Sequence, residues 1–104
     1  MKKIKSQDEF EVLRKLNKES QSSQREMAKQ LDFSLGKLNY CLQALKEKGL
    51  VKIKNFKNRE DKAKYFQSYI LTPKGISERT KLTLNFMKRK MKEYDELKKE
   101  LENK

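Results

Sequence analysis

The C-terminal third of the sequence most constrains the fold. After Pro73 the chain contains no further proline, and the one glycine of residues 73–104, Gly75, lies at the start of the segment. Thr72 and Pro73 are residue types preferred at a helix N-cap and first helical position, so the sequence predicts one helix over about 73–103. Apolar residues recur along it with 3-4-3 spacing and then continue along one edge: Leu84, Met87, Met91, Tyr94, Leu97 and Leu101.

A helix of this length cannot bury its apolar stripe against the rest of so short a chain. The chain has 104 residues, of which 35% are hydrophobic, and a chain of this size buries only a modest core. The stripe therefore predicts a homodimer with a coiled-coil-like seam. We predict two regions, a domain over residues 1–72 and a C-terminal dimerisation helix over 73–104.

Three shorter helices are predicted before residue 50. Apolar residues at helical spacing indicate a first helix over about 8–18. Ser23 and Glu26 form the S-x-x-E pattern of a capping box, which opens a second helix that ends near Asp32. Ser34 begins a third helix that ends at about Lys48. Leucines at helical spacing form one stripe along it: Leu35, Leu38, Leu42 and Leu45. Of these, Leu38, Leu42 and Leu45 are predicted to face inward.

A β-hairpin is predicted after the third helix. Residues 50–56 and 63–71 have the composition of strands, and residues 57–62 between them are polar and charged. The order of elements is then helix, helix, helix, hairpin and long helix. This order is that of a winged helix-turn-helix, a mainly α (α+β) fold in which the hairpin is the wing.

The charge of the chain favours a polyanionic partner. Its formal net charge is +12, a value that by itself is also compatible with RNA, an anionic membrane or simple solubility. Combined with a helix-turn-helix, it indicates double-stranded DNA. Residues 79–92 hold six basic and no acidic residues, whereas 93–104 hold three basic and five acidic ones. The tip of the long helix is therefore expected to point away from DNA.

The third helix is the predicted recognition helix, because the second helix of a helix-turn-helix enters the major groove. Asn39 and Gln43 carry the paired donor and acceptor that match an adenine edge, and Lys37 can donate to guanine or phosphate. Arg59 in the wing is expected to enter a minor groove. The predicted DNA-binding residues are Ser34, Gly36, Lys37, Asn39, Tyr40 and Gln43 in the helix and Lys57, Arg59, Lys62 and Lys64 in the wing.

The residue types argue against an enzyme. The chain has no histidine and one cysteine, so we expect no catalytic site, no metal and no cofactor. Cys41 is expected to be a small, partly buried hydrophobic residue, with a redox switch as the alternative. The sequence shows no secretory signal and no run long enough to span a membrane, which predicts a cytoplasmic protein without a membrane partner.

Three segments resemble transcription regulators of the MarR family. Residues 34–51, SLGKLNYCLQALKEKGLV, resemble their recognition helix and its exit, and residues 23–31, SQREMAKQL, resemble the preceding helix. The LTPKG of residues 71–75 resembles the start of the helix after their wing. In detail the chain resembles the short branch of EPS-associated regulators. The resemblance implies homodimers on pseudo-palindromic DNA and control of exopolysaccharide genes. It also implies wing contacts near Arg59 and Lys62 and helix contacts at Gly36, Lys37, Asn39, Tyr40 and Gln43.

The sequence thus predicts a sequence-specific, double-stranded DNA-binding transcription regulator that acts as a dimeric repressor. The alternative is a winged-helix module that binds protein, or an architectural DNA-binding module without sequence specificity. No small-molecule effector is identified by the sequence.

Overall fold

A computed structural model describes residues 3–16, 23–57, 60–61 and 63–103, apart from the side chain of Phe66. The element order in these residues is that of the predicted winged helix-turn-helix. The helices and strands, in chain order, are α1 (Ser6–Lys15), α2 (Gln24–Leu31), α3 (Leu35–Glu47), β1 (Val51–Lys57), β2 (Tyr65–Leu71) and α4 (Pro73–Glu102).

Three helices begin at the predicted capping residues. The hydroxyls of Ser23, Ser34 and Thr72 each accept a hydrogen bond from the backbone N–H three residues later, at 3.1, 3.0 and 3.0 Å. Each bond satisfies one of the helix N–H groups that have no partner within the helix, which stabilises a helix start by about 1 kcal/mol.

Helix α1 differs from its predicted range of 8–18. It begins at Ser6, and Leu16 already has an extended backbone. The Leu16 carbonyl accepts a hydrogen bond from the Arg79 guanidinium at 3.1 Å, so a donor on α4 holds the chain where the helix ends. Residues 17 and 18 lie outside the described residues.

The core lies where α1 packs against α2, α3 and the first half of α4. Full burial of one leucine side chain contributes about 2 kcal/mol. The largest fully buried side chains are Val12, Leu13, Leu16, Leu38, Cys41, Leu42 and Leu45. The three leucines of α3 predicted to face inward, Leu38, Leu42 and Leu45, are among them. Leu35 is 43% exposed, because it lies in the first turn of α3, before the helix reaches the core.

The exit of α3 is a Schellman turn. Gly49 has a φ of +76°, its N–H donates to Lys46, and the Leu50 N–H donates to Leu45, both at 3.0 Å. Leu50 therefore belongs to the helix exit rather than to the strand, which begins at Val51. The predicted strand start at residue 50 was one residue early.

The two strands form an antiparallel hairpin whose register runs from Val51 opposite Leu71 to Lys57 opposite Tyr65. The returning strand was predicted from residue 63, but it begins at Tyr65. The backbone N–H groups of Ala63 and Lys64 bond instead to Asp61, at its carboxylate (3.1 Å) and its carbonyl (3.0 Å). This local turn competes with strand pairing and shortens β2.

A tight junction joins α4 to the exit of α3. The Thr72 hydroxyl donates to the Gly49 carbonyl at 2.6 Å, and the Thr72 N–H donates to the Leu50 carbonyl at 3.0 Å. Gly75 lies so close to Leu50 that a Cβ there would overlap the Leu50 carbonyl oxygen. The junction thus fixes where α4 starts relative to α3.

Only the first half of α4 packs on the rest of the molecule. The Phe10 and Phe86 rings lie 5.4 Å apart between centroids, whereas every residue from 87 to 103 is exposed. The molecule consequently measures 67 × 30 × 24 Å. We call residues 87–103 the arm and the other described residues the body.

Candidate nucleic-acid interface

One side of α3 is open to solvent. Gly36, Lys37, Asn39 and Tyr40 are exposed, and so is the N-cap residue Ser34. The leucines on the other side are buried in the core and set the position of the helix backbone that carries these five residues. The structure therefore brings together five of the six residues that the sequence predicts for this helix.

Gln43, the sixth residue, is half-buried and partly committed to the hairpin. Its side-chain amide donates to the Tyr69 hydroxyl on β2 at 3.4 Å. This bond links α3 to the wing and leaves the amide oxygen of Gln43 as the group available to a ligand.

The ammonium group of Lys37 has two neighbours. It lies 3.6 Å from a carboxylate oxygen of Asp8 on α1 and 4.1 Å from the centroid of the Phe33 ring. Its side chain is 47% exposed, so the ion pair is screened by water and contributes at most about 1 kcal/mol. Lys37 is thus oriented by weak contacts that a phosphate or base can replace.

Tyr40 contacts the N-terminal segment. Its hydroxyl accepts a hydrogen bond from the Lys3 backbone N–H at 3.3 Å, although the side chain remains 44% exposed. The N-terminal segment therefore passes beside the exposed face of α3.

The wing carries exposed basic residues on β1 and just before β2. Lys57 and Lys64 are exposed near its tip, as the sequence predicts, whereas Arg59 and Lys62 lie outside the described residues. Lys52 and Lys54 on β1 are exposed as well, and Lys54 lies 5.3 Å from the Phe56 ring centroid.

Sequence reasoning missed Leu35, Lys52 and Lys54 as candidate contacts. The sequence does contain a signal for the two lysines. Lys52 and Lys54 are two residues apart, and residues two apart lie on the same face of a strand. No local signal separates Leu35 from the buried leucines, since it fits the same helical spacing.

Cys41 lies on the buried side of α3 and is 2% exposed. Burial raises the pKa of its thiol, the Asp8 carboxylate raises it further, and the Lys37 ammonium opposes both effects. The thiol is therefore protonated at neutral pH, which agrees with a packing role.

The predicted seam residues of α4 are all open to solvent. They are Leu84, Met87, Met91, Tyr94, Leu97 and Leu101, with exposures from 52% to 71%. So many exposed apolar residues on one helix are a feature of interaction surfaces.

Two further classes of site were sought in the described parts of the chain. No group of three or more cysteine, aspartate or glutamate residues there is arranged to hold a metal ion. No helix there is long and apolar enough to cross a membrane.

Several proteins of known structure share this fold. Staphylococcus aureus MarR, solved with salicylate and kanamycin, matches with a TM-score of 0.64 and 24% identity over 86% of this chain and 57% of that chain. An S. aureus MepR–DNA complex matches with a TM-score of 0.61 and 20% identity, over 90% of this chain and 73% of the MepR chain. Streptococcus pneumoniae FabT in complex with DNA matches with a TM-score of 0.57 and 21% identity, over 86% of this chain and 59% of the FabT chain.

These structural matches establish the winged-helix fold, which confirms the predicted fold class. The chain spans less than two thirds of the length of the MarR and FabT chains. No functionally curated protein matches it. The sequence profile of the TFIIE alpha subunit matches residues 1–102, across both the body and the arm. The chain therefore belongs to the TFIIE alpha subunit family.

Proposed function

We propose that this chain is a sequence-specific, double-stranded DNA-binding transcription regulator rather than an enzyme, and that it acts in the cytoplasm as a dimeric repressor. The observation that carries the proposal is the solvent-exposed polar face of α3, whose backbone position is set by its buried leucines. A helix presented in this way fits the major groove, where a fixed set of side chains can read base edges.

The residues of this face divide into two roles. Ser34, Lys37 and Tyr40 bind phosphate and sugar and set the position of the helix on DNA. Asn39 and the amide oxygen of Gln43 read base edges, with adenine as the preferred partner of Asn39. Leu35, exposed in the first turn, offers an apolar surface to a thymine methyl group.

The wing contributes positive charge. Lys57 and Lys64 bind phosphates beside the groove that α3 enters, joined by Lys62, while Arg59 enters the adjacent minor groove. Lys52 and Lys54 extend the same basic surface along β1. Contacts of this kind strengthen binding to any duplex, so they supply affinity rather than sequence preference.

The structural neighbours support this proposal. FabT and MepR were solved in complex with DNA, and their winged-helix fold is that of this chain. Their low identity leaves the DNA sequence that this chain reads to be determined from its own α3 residues.

The repressor role follows from a homodimer on a promoter. The exposed seam residues of α4 favour association with a second copy, and two bodies on one site would occlude the promoter. The resemblance to EPS-associated regulators makes promoters of exopolysaccharide genes the first DNA to examine.

Fluorescence anisotropy tests the proposal directly. We would compare the DNA upstream of the chain's own coding sequence, an exopolysaccharide promoter and shuffled duplexes at several salt concentrations. We expect a preference of at least ~10³-fold for one natural site and affinity that falls steeply with salt. Asn39→Ala should reduce the preference, whereas Lys64→Ala should weaken binding to all duplexes equally. Equal affinity for all duplexes would contradict sequence specificity and favour an architectural role.

A protein-binding module is the second candidate function. Leu35 and Tyr40 of α3 are 43% and 44% exposed, and aromatic residues are enriched at protein interfaces. No duplex binding at low salt, together with salt-insensitive binding of a protein partner, would favour this function.

A further inference from the structure

We propose that two copies of this chain pair antiparallel along α4, with Leu84 of one copy opposite Leu101 of the other. The inference deepens the homodimer of the proposed function by assigning its geometry. It does not depend on DNA binding.

The apolar stripe itself limits the possible pairings. Leu84, Met87, Met91, Tyr94 and Leu101 follow a heptad pattern, and each is more than half exposed. The stripe begins at Leu84 and ends at Leu101. Two such stripes overlap completely either in a parallel, in-register pair or in an antiparallel pair that places Leu84 opposite Leu101.

Charge selects the antiparallel pair. Residues 79–92 hold six basic and no acidic residues, while 93–104 hold five acidic and three basic ones. A parallel pair would place the basic segment beside its own copy. An antiparallel pair places each basic segment beside the acidic segment of the other copy, which is electrostatically complementary.

The residues that flank the stripe show this complementarity individually. Lys81, Lys88, Asp95 and Glu102 are exposed and follow one another at seven-residue intervals on one flank. In the antiparallel pair, Lys88 faces Asp95 of the second copy and Lys81 faces its Glu102. Two-fold symmetry doubles these contacts to four, all between opposite charges. Within the described part of the chain, none of the four residues already forms an ion pair.

Lys98 provides an independent argument, since it occupies the one heptad position of the stripe that is not apolar. In a parallel pair it would face its own copy inside the seam, where two ammonium groups repel. In the antiparallel pair it faces Met87, so its aliphatic stem can pack on the thioether while the ammonium group reaches water.

The body leaves room for this arrangement. Leu84 lies in the half of α4 that packs on α1, yet it is 53% exposed, so the tip of a second arm can lie beside it.

Spin labels measure the orientation in the full-length chain without DNA. We would label Lys92→Cys and Asn103→Cys separately, since both positions are exposed and lie outside the stripe. Cys41 is 2% exposed, and the native chain treated with the same reagent controls for its labelling. The antiparallel pair predicts an inter-label distance below about 20 Å at position 92 and about 30 Å at position 103.

Each outcome has one meaning. Short distances at both positions indicate a parallel pair, and long distances at both indicate contact through another surface. Either result overturns the antiparallel seam and leaves the homodimer intact. A monomer overturns both, while DNA binding is measured separately by anisotropy.

A charge exchange then tests the contact itself. Lys88→Glu and Asp95→Lys, each alone, should raise the dissociation constant of their homodimers about tenfold, because each creates two repulsive pairs. Mixing the two variants should restore dimer affinity to within about threefold of native, because the heterodimer regains opposite charges at both contacts. The mixture contains the same two helices, so it controls for effects on the helices themselves. A mixture as weak as the separate variants would overturn the proposal.

Discussion

Asp8 of α1 and Lys37 of α3 form an ion pair, with 3.6 Å between the carboxylate oxygen and the ammonium nitrogen. The negative charge of this carboxylate would oppose the approach of a phosphate to Lys37. Under the proposed function, Asp8 therefore weakens the binding of α3 to DNA.

Replacing Asp8 with asparagine should tighten DNA binding. Asp8→Asn removes the competing charge while keeping the size of the side chain, so we expect affinity for duplex DNA to rise about three- to tenfold at low salt. Glu96→Gln makes the same change of charge on the arm and should alter affinity by less than about twofold. Anisotropy titrations of the three proteins measure the effect. Equal gains for both variants would show that Asp8 acts only through net charge.

Gly75→Ala should destabilise the fold. The new methyl group would overlap the Leu50 carbonyl, and relieving that overlap must shift α4 relative to the exit of α3. We expect a loss of about 2–3 kcal/mol in the free energy of unfolding, measured by chemical denaturation.

Gly36→Ala is the matched control, since a Cβ at Gly36 meets nothing within 4 Å. It should stabilise the fold by about 0.5–1 kcal/mol through helix propensity. Equal effects of the two substitutions would contradict the junction described here.

Some of these features could be read from the sequence and others could not. Ser23, Ser34 and Thr72 were identifiable as caps because their signal lies within three residues. The end of α1 was not, because Leu16 is held by Arg79, 63 residues away. The position of Leu35 likewise depends on where the core ends. Ion pairs such as the one between Glu9 and Lys48, at 3.4 Å, form only when separate helices meet.

Cys41 should react slowly and only at high pH. Because burial raises the pKa of its thiol, the reactive thiolate is scarce in the folded chain. Its folded pKa lies above the unfolded value, so its contribution to stability is present at neutral pH and is lost as pH rises through the folded pKa. The rate of iodoacetamide labelling as a function of pH measures the reactivity of the Cys41 thiol. We expect slow labelling at pH 7.5 and fast labelling once the chain is denatured. Rapid labelling of the folded chain at neutral pH would instead support a redox role.

The most direct measurement of the central claim compares Lys37→Ala with Lys99→Ala in binding to duplex DNA across a salt series. Both variants lose one positive charge, but Lys37 lies on the exposed face of α3 and Lys99 on the arm. Binding through α3 predicts that Lys37→Ala lowers affinity about tenfold. It should also reduce the slope of log affinity against log salt concentration by about one, whereas the affinity of Lys99→Ala should remain within about twofold of native. Equal losses for both variants, or no binding of the native chain at low salt, would contradict binding through α3.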